Sequence, residues 1–77
     1  MNQQPIGIIG AMKMEVDAIL AAMEGKRQEV HGSMAFTAGT LSGVPCVAVQ
    51  CSPGKVNAAL CTQALVDFFS PRLVLNL

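Results

Sequence analysis

The junction between an apolar run and an amphipathic segment near the amino terminus constrains the fold most. Pro5–Gly10 reads Pro-Ile-Gly-Ile-Ile-Gly, and an apolar run of this kind is typical of a central strand covered on both faces. Met12–Glu24 follows as a predicted helix, which Gly25 is predicted to end. Its apolar residues recur at helical spacing on one face: Met12, Val16, Ile19, Leu20 and Met23.

The rest of the chain predicts a mixed sheet with helical crossovers. Val- and Phe-containing runs on either side of Ser42-Gly43 predict a hairpin, and a second helix with a wide apolar arc is typical of a large core or a subunit interface. The order β-α-(β)-β-β-α-β indicates an α/β fold, a mixed β-sheet with flanking helices. The predicted elements are Gln28–Ser33 (a short strand or a loop), Met34–Leu41, Val44–Cys51, the helix Lys55–Phe69 ended by Ser70-Pro71, and the strand Arg72–Asn76.

The length and the apolar content predict an incomplete domain. The chain has 77 residues, of which 52% are hydrophobic and 13% charged, and a domain of this size leaves a large share of its surface exposed. Its last strand, Leu73-Val74-Leu75, is apolar and would be an unprotected edge. We therefore expect residues 1–77 to be the N-terminal fragment of a single larger domain.

Composition argues against several classes of function. The net charge is zero and Trp and Tyr are absent, which argues against nucleic-acid binding. No signal peptide and no apolar stretch of the roughly 20 residues that a membrane helix needs is visible, so we expect a cytoplasmic protein. Cys46, Cys51 and Cys61 form no Cys-x-x-Cys motif, so we expect buried thiols and no metal site.

Three local patterns do not meet the requirements of known functional motifs. Gly7-Ile8-Ile9-Gly10 lacks the Gly-x-Gly-x-x-Gly spacing of dinucleotide sites, and Gly54-Lys55 lacks the remaining residues of a P-loop. Gly10 is instead expected to allow a tight turn and a close backbone approach. His31, the one histidine, is expected at the surface in a polar turn, without a catalytic triad. No cofactor is predicted.

Glu15 is the exceptional charge of the first helix. At 100° per residue it falls roughly 60° from Met12, on the side opposite Lys13 and Asp17. One interpretation is a first-turn carboxylate that stabilises the helix through its dipole. The other is a general base that faces a pocket above the sheet.

The segment Ile6–Val16, with its Gly-Ala-Met-x-x-Glu pattern, resembles the start of the bacterial 5′-methylthioadenosine/S-adenosylhomocysteine nucleosidases. These belong to the purine nucleoside phosphorylase/uridine phosphorylase superfamily. The similarity continues through Thr37-Ala38-Gly39 and Ser52–Ala59, and it reaches Val74-Leu75-Asn76. The resemblance covers essentially the whole chain but about the first third of the family's domain. It implies the N-terminal part of a nucleoside phosphorylase-like three-layer fold.

The resemblance assigns roles to four residues. Glu15 matches the carboxylate that activates the hydrolytic water, and Ala11 and Met12 match residues that line the sugar and nucleophile region. Pro53 stands where the family often has an aliphatic residue near the 5′-substituent, which puts that contact in doubt. The general acid that protonates the purine lies downstream of these residues in the family.

The activity implied is hydrolysis of the N-glycosidic bond of both nucleosides, which releases adenine, as part of methionine salvage in a cytoplasmic homodimer. Ala11–Val16 contains no Arg, which favours water over phosphate as the nucleophile. The fragment alone is expected to be inactive. The alternatives are a related futalosine- or adenosine-type nucleosidase, and a non-catalytic interaction module that retains the half-fold.

Overall fold

Two helices cover the opposite faces of one five-stranded sheet. The computed structural model describes residues 4–32, 34–51 and 55–77, with the side chains of these ranges other than those of residues 55–58. The elements are β1 (Ile6–Gly10), α1 (Lys13–Ala22), β2 (Glu24–His31), β3 (Met34–Leu41), β4 (Val44–Gln50), α2 (Lys55–Phe69) and β5 (Leu73–Asn76). The predicted α/β class with a mixed sheet is confirmed.

The sheet has the order β2-β3-β4-β1-β5. Strand β1 pairs in parallel with β4 and with β5, whereas β2, β3 and β4 pair antiparallel in sequence. The turn between β3 and β4 is the predicted Ser42-Gly43 turn, with φ of 50° and 81° at its two residues. Two successive positive φ values match the twist of a two-residue hairpin.

The two faces of the sheet carry separate apolar clusters, because side chains alternate between faces along each strand. The α1-side cluster is built on Ile8, Met23, Cys46 and Ala48. The α2-side cluster is built on Ile9, Phe36, Val47, Val49, Cys51, Cys61 and Leu65. The helix–sheet–helix arrangement is the predicted three-layer architecture.

Gly7 and Gly10 let the helices approach the sheet closely. A Cβ on Gly7 would collide with the Leu65 side chain of α2. A Cβ on Gly10 would lie 2.6 Å from the Val16 Cγ2 of α1. The group that approaches Gly10 most closely is thus a side chain of α1, which lies against the end of β1.

The first helix is shorter than predicted, and the strand after it is longer. Helix α1 ends at Ala22 instead of Glu24, and Met23 is its extended C-cap residue. Gly25 does not end the helix: it lies inside β2 with φ of 62°, where the pairing with β3 shifts register between Glu24 and Arg27. Its positive φ serves a β-bulge, a role that glycine also fills.

The two edges of the sheet differ in chemistry. The outer strand β2 carries Glu24, Lys26, Arg27, Gln28 and Glu29, and charges on an edge strand discourage pairing with other chains. The outer strand β5 exposes leucines instead. They are Leu73 and Leu75, at 52% and 44% exposure, and Leu77, just after the strand, is 51% exposed.

Candidate functional site

The carboxyl ends of the three parallel strands meet beside the start of α1. The Cys51 N–H donates to the Gly10 carbonyl at 2.9 Å, and the Leu77 N–H donates to the Ile9 carbonyl at 2.8 Å. In open α/β sheets, ligands bind outside this end of the strands. The edge formed by the ends of β4, β1 and β5 is therefore the candidate site.

Ala11 and Met12 connect β1 to α1 across this edge. Ala11 is half-buried, and Met12 is the extended N-cap residue of α1. The sequence places Met12 on the apolar face of the helix, but its side chain is 59% exposed. That expectation was wrong because Met12 precedes the first helical residue and does not follow the helical periodicity.

Glu15 lies in the first turn of α1 and is exposed. Lys13 Nζ and Asp17 Oδ2 form an ion pair at 2.6 Å on the other side of the helix. Within the described part of the chain, no hydrogen bond or ion pair involves the Glu15 carboxylate. Glu15 is thus accessible in the first turn of the helix that begins at the candidate site.

Three of the four residues to which the resemblance assigns a role lie within the described residues. Ala11 and Met12 form the connection from β1 to α1, and Glu15 lies in the first turn of that helix, so these three are close together in the chain. Pro53 lies outside the described residues. Roles for all four remain predictions.

A cavity of about 380 Å³ lies at the opposite end of the sheet. Its walls include Pro5 and Pro45 at the amino ends of β1 and β4, Phe68 and Phe69 at the end of α2, and Arg27 of β2. The cavity is thus separated from Glu15 by the length of the strands. The strand topology and the first-turn carboxylate, not the cavity, define the candidate site.

His31 belongs to an aromatic cluster that sequence reasoning missed. Its ring stacks on Phe68 with centroids 3.8 Å apart and meets Phe36 and Phe69 edge-on. Its Nε2 lies 3.4 Å from Glu29 Oε1 but outside hydrogen-bond alignment. The residue is half-buried at the end of β2 instead of exposed in a turn. These contacts depend on how β2 packs beside β3 and α2, which the local sequence does not show.

The three cysteines are buried, as expected. Burial raises the pKa of the Cys61 thiol to about 11, with a hydrogen bond to the Cys51 side chain and the Cys51 charge as smaller causes. Cys46 lies on the other face of the sheet, in the α1-side cluster. The proximity of the thiols of Cys51 and Cys61 was not predicted from their spacing.

The described ranges contain neither a cluster of metal ligands nor a membrane-spanning helix. No group of three His, Cys, Asp or Glu side chains there is arranged to hold a metal ion. Over the same ranges, neither helix combines the length and the hydropathy of a membrane span.

The fold and this edge define a member of the phosphorylase superfamily: the family model matches residues 5–77, and the chain belongs to that family. Among curated relatives, the 5′-methylthioadenosine/S-adenosylhomocysteine nucleosidase of Geobacillus kaustophilus is 44% identical over 69 residues. That alignment covers 90% of this chain and 29% of the relative. The chain thus spans less than a third of the length of that nucleosidase.

Solved structures show the same likeness. A 5′-methylthioadenosine/S-adenosylhomocysteine nucleosidase from Colwellia psychrerythraea, in complex with adenine, has a TM-score of 0.92 and 37% identity, over 97% of this chain and 31% of that one. The enzyme of the same name from Neisseria meningitidis, in complex with methylthio-immucillin-A, has a TM-score of 0.90 and 30% identity, over 96% and 32%. A futalosine hydrolase mutant of Helicobacter pylori has a TM-score of 0.85 and 27% identity, over 96% and 34%. The resemblance stated from the sequence is confirmed at the level of the family.

Proposed function

We propose that this chain is the N-terminal part of an enzyme that hydrolyses the N-glycosidic bond of 5′-methylthioadenosine and S-adenosylhomocysteine, releasing adenine. The observation that carries the proposal is the position of Glu15. Its carboxylate, which has no hydrogen bond or ion pair within the described ranges, stands in the first turn of α1, just beyond the carboxyl end of a central parallel strand. Nucleosidases with the same fold support the proposal.

The proposed role of Glu15 is to activate water. Glycosidic hydrolysis passes through an oxocarbenium-like sugar, with a base on the attacking water and an acid on the leaving group. An ionised, exposed carboxylate can accept the proton of a water molecule that attacks the sugar. The half-buried Ala11 and the exposed Met12 would border the sugar beside that water, and Pro53 would lie near the 5′-substituent.

The nucleophile proposed is water and not phosphate. The segment Ala11–Val16 contains no arginine, and its one cation, Lys13, is paired with Asp17 at 2.6 Å. A phosphate nucleophile would need a cationic donor free to bind it at this point. The proposed reaction is thus a hydrolysis, without a metal ion or an organic cofactor.

Three finer proposals accompany this function. The reaction would serve methionine salvage in the cytoplasm. The enzyme would be a homodimer, with the exposed apolar side chains of α2 available for an interface. These are Leu60, Val66 and Phe68, at 54%, 46% and 55% exposure.

The test is Glu15→Gln in the full-length enzyme that contains this chain, with adenine release as the readout. We expect kcat to fall by about 10²–10⁴-fold, the usual contribution of a general base, with far-UV circular dichroism unchanged. The matched control is Asp17→Asn, which removes a carboxylate from the same helix on the side paired with Lys13. Equal turnover of Glu15→Gln and the unsubstituted enzyme would contradict the proposal.

A second candidate is a futalosine-type nucleosidase, favoured by the likeness to the Helicobacter pylori futalosine hydrolase structure. The same general base would serve that reaction, so Glu15 does not separate the two. A comparison of kcat/KM for 5′-methylthioadenosine, S-adenosylhomocysteine and futalosine does. A folded protein that hydrolyses none of the three nucleosides would favour the non-catalytic interaction module.

A further inference from the structure

Two cysteines from different elements meet in the α2-side cluster. Cys51 directly follows β4 and is 7% exposed, and Cys61 lies in α2 and is 3% exposed. Both side chains belong to this one buried cluster, and the Cys51 thiol lies near enough to affect the pKa of Cys61. We propose that Cys51 and Cys61 form an oxidisable pair whose disulfide ties the carboxyl end of β4 to α2.

The position of the pair gives such a disulfide a structural consequence. The Cys51 N–H donates to the Gly10 carbonyl at 2.9 Å, so this residue is already hydrogen-bonded to the strand end that precedes Ala11. A covalent link from Cys51 to Cys61 would hold the ends of β4 and β1 and the helix α2 together. The oxidised chain would therefore have a more rigid edge at the candidate site.

Cys46 supplies an internal comparison. It lies on the opposite face of the sheet, in the α1-side cluster, and its Sγ donates to the Val44 carbonyl at 3.4 Å. Alternation along β4 keeps its side chain away from the face that carries Cys51 and Cys61. The fold thus selects one of the three pairings that three cysteines allow.

The chemistry needs a two-electron oxidant, and a low-molecular-weight disulfide such as oxidised glutathione supplies it. One protein thiolate attacks the glutathione disulfide, which releases one reduced glutathione and leaves a mixed disulfide. The second protein thiol then displaces the other glutathione. In sum, two protein thiols and one oxidised glutathione become one protein disulfide and two reduced glutathione molecules. The high pKa of Cys61 makes this exchange slow at neutral pH, so the reaction must be followed to equilibrium.

The experiment is a peptide map of the chain after equilibration with oxidised and reduced glutathione and acid quenching. Trypsin cuts at Lys55, between the two cysteines, and at Arg27 and Arg72. The digest therefore separates a peptide of residues 28–55 from one of residues 56–72. In the Cys46→Ser variant, we expect these two peptides to be linked, and we expect no link when Cys51→Ser is added.

Two further measurements do not depend on the Cys46→Ser variant. In the unsubstituted chain, fragmentation of the linked peptides should place the bond at Cys51 and not at Cys46. In concentrated urea, the equilibrium constant for the link should fall by about tenfold or more, since the fold no longer holds the thiols together. Free peptides at every glutathione ratio, a link through Cys46, links between separate chains, or an equal constant in urea would each overturn the proposal.

Discussion

Helices α2 and α1 cover opposite faces of the same sheet, but they bury their side chains to different degrees. On α2, Leu65 has no exposed surface and packs over Gly7. On α1, Val16 is buried, but Met14 is 78% exposed and the neighbouring Glu15 is exposed too. The difference separates two roles. The α2-side cluster contains more buried residues than the α1-side cluster. The start of α1 instead leaves Glu15 accessible, where chemistry is proposed.

The strongest test of this difference is a matched pair of leucine truncations. We expect Leu65→Ala to destabilise the chain by about 3–4 kcal/mol, because it opens a cavity under a fully buried side chain. Leu20→Ala on the half-buried side of α1 should cost about 1–2 kcal/mol. Urea unfolding followed by far-UV circular dichroism measures both, since the chain has no Trp or Tyr for fluorescence. Equal losses would remove the distinction between the faces.

The next effect concerns the two glycines under the helices. Gly7→Ala should cost about 1–3 kcal/mol, because the new methyl group meets the buried Leu65 side chain. Gly10→Ala meets Val16 instead, and the less buried α1 can move outward, so a smaller loss is expected. The double variant Gly7→Ala/Leu65→Ala should be less destabilised than the sum of its parts. Additive losses would show that Leu65 is not the group that the methyl meets.

A smaller effect should appear at high pH. Burial raises the folded-state pKa of Cys61 from 9.0 to about 11, so the folded chain holds this proton more tightly than the unfolded chain. The associated stability is complete below pH 9, and it is lost as the pH rises toward 11. At about pH 10 the loss is on the order of 1 kcal/mol. Urea unfolding across this pH range measures the loss of stability. The Cys61→Ala variant should lose less stability than the unsubstituted chain as the pH rises from 9 to 11. Parallel profiles for the two chains would contradict this account.

The smallest effect is expected on the exposed side of α1. Lys13→Ala removes the ion pair with Asp17, and an exposed pair at this spacing contributes about 0.3–0.5 kcal/mol. The change should be weaker still at high salt, because screening reduces the attraction. A loss above about 1 kcal/mol in urea unfolding would show that this side of α1 matters more to the fold than its exposure indicates.

Most elements could be predicted from the sequence because their signals are local. The apolar run of β1, the Ser42-Gly43 turn and the apolar α2 each specify their own structure. Strand β2 gave little signal, because five of its eight residues are charged or amide side chains on an edge. Gly25 was interpreted as the end of a helix because a bulge and a helix cap both favour a positive φ. Which of the two roles it takes depends on the partner strand.

The candidate site was predictable to a lesser extent. The helical wheel separated Glu15 from Lys13 and Asp17, and the structure keeps that separation. Its exposure was not predictable, since it depends on what stands above the first turn of α1. The contacts of His31 with Phe68 and of Cys51 with Cys61 join residues that are distant in sequence. Spacing alone contains no information about such pairs.

The position of β1 in the sheet has a consequence for the kinetics of folding. The first strand of the chain lies between β4 and β5, and Ile6 pairs with both Cys46 and Leu73. The first pairing closes a loop of about half the chain and the second a loop of most of it, and topologies of high contact order fold slowly. During synthesis, β1 leaves the ribosome before either of the strands that pair with it. Until both have paired with it, one side of its backbone and the apolar Ile8 and Ile9 depend on transient contacts for protection.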